Sequence, residues 1–208
     1  DATWSGGMEA LQRAYDSIAT GECVAAIVGS SSLIFAPQLS HHYQNMGRLS
    51  EDSITRSFSA DANGYARSEG CVALFLQRAE HAKRSYATIL GINTLNFGAK
   101  LNSFTEFSEE GYKRLLKGAY SKAKVKPEEL AYLEADGVAS RKVDAQELNA
   151  VSEVLLPGRR TPLLIGSVKS NLGHAEASSS LISVVKALIA MEKGVIPPNL
   201  NYSSPNPD

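Results

Sequence analysis

Four residues of this 208-residue chain have side chains and settings that invite a chemical reading: His174, Lys169, Asp136 and Trp4. His174 closes the run GSVKSNLGH, and Lys169 stands five positions before it. An imidazole near an ammonium can donate a hydrogen bond to a developing anion or hold a proton for transfer. Taken alone, Lys169 reads as a buried lysine paired with an acid such as Glu176. Asp136, in EADGVAS at 134–140, is either a new general base or an ordinary loop carboxylate. Trp4, in DATWSGGMEAL at 1–11, carries no thiol and no group that ionises near neutral pH, and by itself reads as a core aromatic.

Other chemistries lack their residues. Cys23 and Cys71 adjoin apolar runs and read as buried thiols; two cysteines cannot build a disulfide framework. His41 and His42 are neighbours in a predicted helix and point in different directions, which is poor metal-ligand geometry. With no CxxC or HExxH spacing, no metal site is expected. With no GxGxxG and no GxxxxGK(S/T), nucleotide binding has no support.

The elements that must position these residues follow from periodicity. Met8, Leu11, Ala14, Tyr15 and Ile18 predict a helix over 5–20, with Gly21 as its C-terminal cap. The run VAAIVG at 24–29 predicts a strand buried on both faces. Residues 30–70 read as irregular, with a short helix near 41–46 and a structured loop over 58–70. Within it, Asn63-Gly64 with Tyr65 and Arg67 is a turn with a nearby cation, a support for neighbouring loops. Strands are predicted over 71–77, 86–96, 132–135 and 163–166. A helical turn is predicted over 78–85, and helices over 108–122, 144–155 and 177–191, the last apolar on most sides and so buried. This order indicates a layered α/β architecture.

Composition narrows the class. Lys and Arg total 21 against 22 Asp and Glu, so a net charge of −1 gives no reason to expect nucleic acid or an anionic membrane. No apolar run approaches a membrane span and no leader is visible, so a cytoplasmic location is expected.

The segments DATWSGGMEAL, EADGVAS and GSVKSNLGHAEA, supported by NGYARSEG at 63–70, occur in one order along the chain. Together they resemble the β-ketoacyl synthase, or ketosynthase, of animal-type fatty acid synthases and related polyketide synthases. The match extends through Gln146-Glu147-Leu148-Asn149 to the closing Ser204-Pro205-Asn206-Pro207 and covers essentially all 208 residues. The resemblance implies a thiolase-type α/β fold, with helices between two mixed five-stranded sheets. It implies a partial domain running from the nucleophile helix onward over 1–208, without the N-terminal part or the extreme C-terminal part, and a fragment expected to fold poorly alone. It further implies a homodimer working with an acyl carrier protein and other synthase domains, no bound cofactor, and phosphopantetheine-linked acyl and malonyl thioesters as substrates.

Family chemistry uses a thiolate at a helix N-terminus as acyl acceptor, and two histidines to assist decarboxylation of a malonyl thioester. By the resemblance the nucleophilic cysteine falls on Trp4 and the first histidine on Asp136, while Lys169 and His174 match the family's lysine and second histidine. Val138 and Ser140 fall where the phosphopantetheine channel is lined, and Ala145 where a proline is usual. Trp4 leaves no place for an acyl-enzyme, and an ionised Asp136 repels an enolate oxygen. The expectation is a ketosynthase region of a fatty-acid-synthase-like protein that no longer condenses and is kept for dimerisation, scaffolding or carrier contact. One alternative is a residual malonyl-thioester decarboxylase using His174 and Lys169. Another is an active condensing enzyme, which requires residues 4 and 136 to be sequence errors.

Overall fold

A computed structural model describes residues 3–96 and 108–208; Asp1 and Ala2 of the first motif lie outside the described residues. A single 3-10 turn, Thr3–Ser5, carries Trp4 into helix α1, Gly6–Thr20. Leu11 and Ile18 are buried on one side of α1, and Gly21 ends it in the left-handed region (φ 82°), its N–H donating to Ile18 O at 3.2 Å. Strand β1, Ala25–Ser32, runs antiparallel to β2, Gly70–Gln77, in a register pairing Ala25 with Gln77 and Ser32 with Gly70.

The alternation of this ladder decides where the core lies. Val28, Val72, Leu74 and Leu76 pack with Leu11, Ile92 and Leu181. Their neighbours Ile27 and Phe75, register partners on the other face, are 78% and 65% exposed. The expectation of a strand buried on both faces is therefore corrected: α1, the last helix, the 3-10 turn before it and Ile92 cover the sheet on one side, while Ile27 and Phe75 on the other face stay exposed. For the same reason Cys71, on the outward face, is exposed and Cys23 only half-buried, so neither is the buried thiol expected.

Helix α2, Pro37–Asn45, starts with proline in its first turn, where the missing N–H costs nothing. Residues 86–96 form no strand: Ile89 and Ile92 reach the core and Gly91 lies against Ala123, but no described strand offers a ladder partner. Helix α3, Glu109–Ala123, is capped by Ser108, whose hydroxyl accepts from Gly111 N at 3.2 Å. It packs on α4, Arg141–Leu155. Between them β3, Tyr132–Glu134, pairs in parallel with β4, Leu164–Gly166.

After β4 come a short helix α5, Lys169–Leu172, a 3-10 turn Glu176–Ser178, and helix α6, Ser179–Lys193. Helix α1 crosses this region so closely that a Cβ on Gly7 would lie 2.9 Å from Ser180 Oγ and 3.0 Å from Ala177 O. Leu181 is fully buried in α6, whereas Ile189 and Met191 are exposed, so the helix is buried on one side only. The ladders are two-stranded among the described residues, so the five-stranded sheets implied by the resemblance are present only in part. No described helix is long and apolar enough to cross a membrane.

Candidate active site

Strand β3 delivers the loop that holds Asp136. Ala135 N donates to Gly166 O at 2.8 Å, extending the parallel pairing by one residue. Beyond it the chain needs other acceptors, and Glu147 on α4 supplies them. Asp136 N donates to one carboxylate oxygen of Glu147 at 2.8 Å and Gly137 N to the other at 3.0 Å. Ser57 Oγ donates to Gly137 O at 2.6 Å and Ser167 Oγ to Asp136 O at 2.8 Å. Gly137 has φ 52°, and a Cβ there would meet Phe58 and Ser167 at 2.8 Å, so glycine is required.

Lys169, at the start of α5, points into this loop. Its Nζ donates to Asp136 Oδ1 at 2.6 Å and to Asp136 O at 2.9 Å. The lysine side chain is 3% exposed, while 41% of the aspartate side chain still reaches solvent. The sequence-based pairing of Lys169 with Glu176 is thus corrected: Arg67 takes Glu176, with Nε to Oε1 at 2.5 Å, and also donates to Ser40 Oγ. Burial raises the Asp136 carboxyl, but the charge and hydrogen bond of Lys169 outweigh it, and the group stays below its usual range as an anion. Glu147 shifts the other way, raised by burial and then by the Asp136 charge.

His174 is 2% exposed and is fixed from both sides by NGYARSEG. Its N–H donates to Ala66 O at 2.8 Å, and its carbonyl accepts from Ser68 N at 3.0 Å. Glu176 N donates to His174 Nδ1 at 2.9 Å, and Ser179 Oγ also lies 2.9 Å from it. A backbone amide can only donate, so Nδ1 is an acceptor and the neutral ring carries its hydrogen on Nε2. Burial, and then the charge of Lys169, hold the imidazole pKa down to about 3. The expected supporting role of the 63–70 loop is what the structure contains. Gly64 (φ 118°) passes so near the 48–50 backbone that a Cβ would lie 2.6 Å from Arg48 O.

Trp4 is half-buried and stands over this histidine, with ring centroids 5.3 Å apart. Tyr43 at 5.9 Å and Tyr65 at 6.2 Å flank the indole, and the Arg48 guanidinium sits 5.0 Å from its centroid. Trp4 is therefore a site aromatic rather than the core residue its type suggests.

A cavity of about 540 Å³ opens beside these groups, lined by Arg48, Asn63, Tyr65, Val138, Ser140 and Gln146 among others. The structure thus brings Val138 and Ser140 together on one wall. Trp4, Asp136, Lys169 and His174 do not line it. Arg48, Tyr43 and the clamping role of Glu147 were missed from sequence, although Tyr65 and Glu147 lie inside the quoted motifs.

Residues 1–82 match the description of the N-terminal domain of the beta-ketoacyl synthases, and residues 86–203 that of their C-terminal domain. This chain belongs to the β-ketoacyl synthase family. As a ketosynthase it is 39% identical over 209 residues to a reducing polyketide synthase of Cochliobolus heterostrophus, covering 99% of this chain and 8% of that protein. It is 35% identical over 195 residues to a fatty acid synthase of Anser anser anser, covering 94% of this chain and 55% of that sequence. The ketosynthase from module 6 of the bacillaene synthase of Bacillus subtilis 168 superposes with a TM-score of 0.95 at 30% identity, covering 100% of this chain and 37% of that one. The fold is therefore thiolase-like, and this chain is part of such a domain.

The chemistry available to this ketosynthase chain is limited by what surrounds His174. Trp4 covers the ring, and the carboxylate of Asp136 is anionic. Cys23 follows α1 whereas Trp4 precedes it, which separates the two by the length of a 15-residue helix, about 22 Å. Cys71 faces outward from β2. Beside Trp4 the site holds a neutral imidazole with an Nε2–H and a fixed ammonium.

Proposed function

We propose that this chain is the ketosynthase region of a multidomain, fatty-acid-synthase-like protein that no longer condenses acyl groups. Its role is then structural: holding a homodimer and neighbouring synthase domains together in the cytoplasm, and receiving a carrier protein. The observation that carries the reading is the contact of Trp4 with His174, an indole where the resemblance puts the acyl-accepting thiolate. The Asp136–Lys169 ion pair supports it, since it sets an anion where the resemblance puts a hydrogen-bond donor to the enolate. Val138 and Ser140 on the cavity wall suit the channel for the phosphopantetheine arm of acyl and malonyl thioesters. The test uses the full-length protein, with codons 4 and 136 resequenced. Incubated with acyl and malonyl carrier thioesters, it is expected to show no acyl adduct on this region by mass spectrometry and no ketoacyl product. An adduct here, or chain elongation, would overturn the reading.

The Nε2–H of His174 favours a second reading, decarboxylation of a malonyl thioester. The carboxylate would leave as CO₂, the electron pair would pass to the thioester oxygen as an enolate held by Nε2–H, and the α-carbon would then take a proton from water. Release of labelled CO₂ that His174→Ala abolishes would establish it; no release would end it.

A further inference from the structure

Over residues 114–126, on α3 and the turn after it, the chain carries five cations and no acid, although its net charge is −1. Arg114, Lys117, Lys122, Lys124 and Lys126 are all exposed, and none has an ion pair among the described residues. Lys113, by contrast, is matched by Glu109 and by Glu153 of α4. Of the two acids that follow the run, Glu129 accepts from Lys126 N at 3.0 Å, and Glu128 lies toward Gly158. Lys124 ends α3 in the left-handed region, at φ 54°, where glycine is usual. A strained backbone kept for a lysine points to a use for the charge it carries.

These cations border an apolar groove of about 280 Å³. Ile89, Leu90 and Gly91 line it from one stretch of chain, and Tyr120, Ala123 and Val125 from another, with no charged side chain in the lining. Lys122 and Lys124 flank Ala123 in the chain and so stand at its edge. Leu90 is 57% exposed. The groove is held in shape by the fold. Gly91 packs so near α3 that a Cβ would lie 2.8 Å from Ala123 N. Arg159 fixes the turn beyond Val125, donating to Pro127 O at 2.8 Å and to Leu130 O at 2.9 Å.

We propose that this groove and its rim bind an acidic amphipathic helix of another protein or domain. Its apolar side chains would seat against Leu90 and Tyr120, and its carboxylates against Lys122 and Lys124. A narrow groove takes the ridge of a helix, whereas a membrane surface needs a flat or protruding apolar face. None of these residues lines the 540 Å³ cavity or belongs to the Trp4–His174 site, so the proposal stands apart from the loss of condensation.

The full-length protein is titrated, by fluorescence polarisation, with a labelled helical peptide that carries leucines on one face and glutamates on the other. The wild type is expected to bind it in the micromolar range, and more weakly at higher salt. Lys122→Glu with Lys124→Glu should weaken binding tenfold or more, and Leu90→Asp should do the same, with thermal unfolding showing that both variants are folded. Scrambling the peptide so that its leucines no longer share a face should also cost tenfold. Wild-type binding by either variant, or of the scrambled peptide, overturns the proposal, as does no binding at millimolar peptide. So does preference for vesicles containing phosphatidylserine over the peptide, which would make this a membrane-facing surface.

Discussion

Lys169 Nζ lies 2.6 Å from Asp136 Oδ1 and 2.9 Å from the same residue's carbonyl oxygen, so one buried ammonium is matched by one residue. The two partners are not equivalent. Lys169 is 3% exposed and depends on this contact, whereas Asp136 is 41% exposed and water can replace part of what it loses.

Removing the acid should therefore cost more than removing the base. Asp136→Ala leaves a buried cation with only a carbonyl, an expected loss of about 2 kcal/mol once partial solvation is discounted from the usual penalty for breaking a buried pair. Lys169→Met places an apolar chain in the buried half and leaves the carboxylate partly in water, and should cost about 1 kcal/mol or less. Urea unfolding of the full-length variants, read on the transition that contains this region, checks the order. A costlier Lys169→Met would contradict the asymmetry.

Acid should act through His174. Its folded pKa of about 3 lies below the ordinary 6.5, so between these values the unfolded chain binds the proton and the folded chain does not. Its contribution to stability is whole above pH 6.5 and is lost as pH falls toward 3, by up to about 1.4 kcal/mol per pH unit. His174→Gln should flatten the fall of stability between pH 6 and 4. An unchanged slope in that window would show that the ring is not held neutral.

Glu147 predicts the opposite slope. Burial and the neighbouring Asp136 charge raise its pKa from 4.5 to about 7, so the folded state holds the proton longer than the unfolded one. Stability is then lost as pH rises through that interval. Glu147→Gln removes the titrating group but turns its NH2 toward one of the two backbone N–H groups that the carboxylate accepts from. It should therefore cost stability at pH 5, and that deficit should shrink at pH 8, where the wild type must bury the ionised group. Melting temperatures at the two pH values decide; a deficit that does not shrink refutes the raised pKa.

Much of this arrangement is legible in the residues themselves. The 3.6-residue spacing of Leu11 and Ile18 places α1 and its Gly21 cap, and the motif order brings Asp136, Lys169 and His174 into one site. What escapes depends on partners distant in sequence. Residues 86–96 have strand composition, but a strand needs a ladder that composition does not supply. Lys169 lies nearer Glu176 in sequence, yet Arg67 arrives from the 63–70 loop to take that acid and leaves Asp136 for the lysine. Trp4 reads as core until Tyr43, Tyr65 and Arg48 are assembled around it, and those three come from separate turns of the chain.

A thiol introduced at position 4 tests what Trp4 and Asp136 each contribute. Trp4→Cys puts a thiol in the turn before α1, at the positive end of a 15-residue helix and beside His174, a setting that lowers a thiol pKa. Full-length Trp4→Cys should therefore be alkylated by iodoacetamide at position 4 faster than at Cys23, and should take an acyl group from an activated thioester. It should still fail to condense, because Asp136 holds a negative charge where the resemblance puts the hydrogen-bond donor to the enolate. Trp4→Cys with Asp136→His removes that charge and supplies a donor, and is expected to raise ketoacyl product at least tenfold above the single variant. Equal, measurable product from both would mean that Asp136 is no obstacle and that the indole alone blocks the reaction. Product from neither, with acylation intact, would place the remaining block outside these two residues.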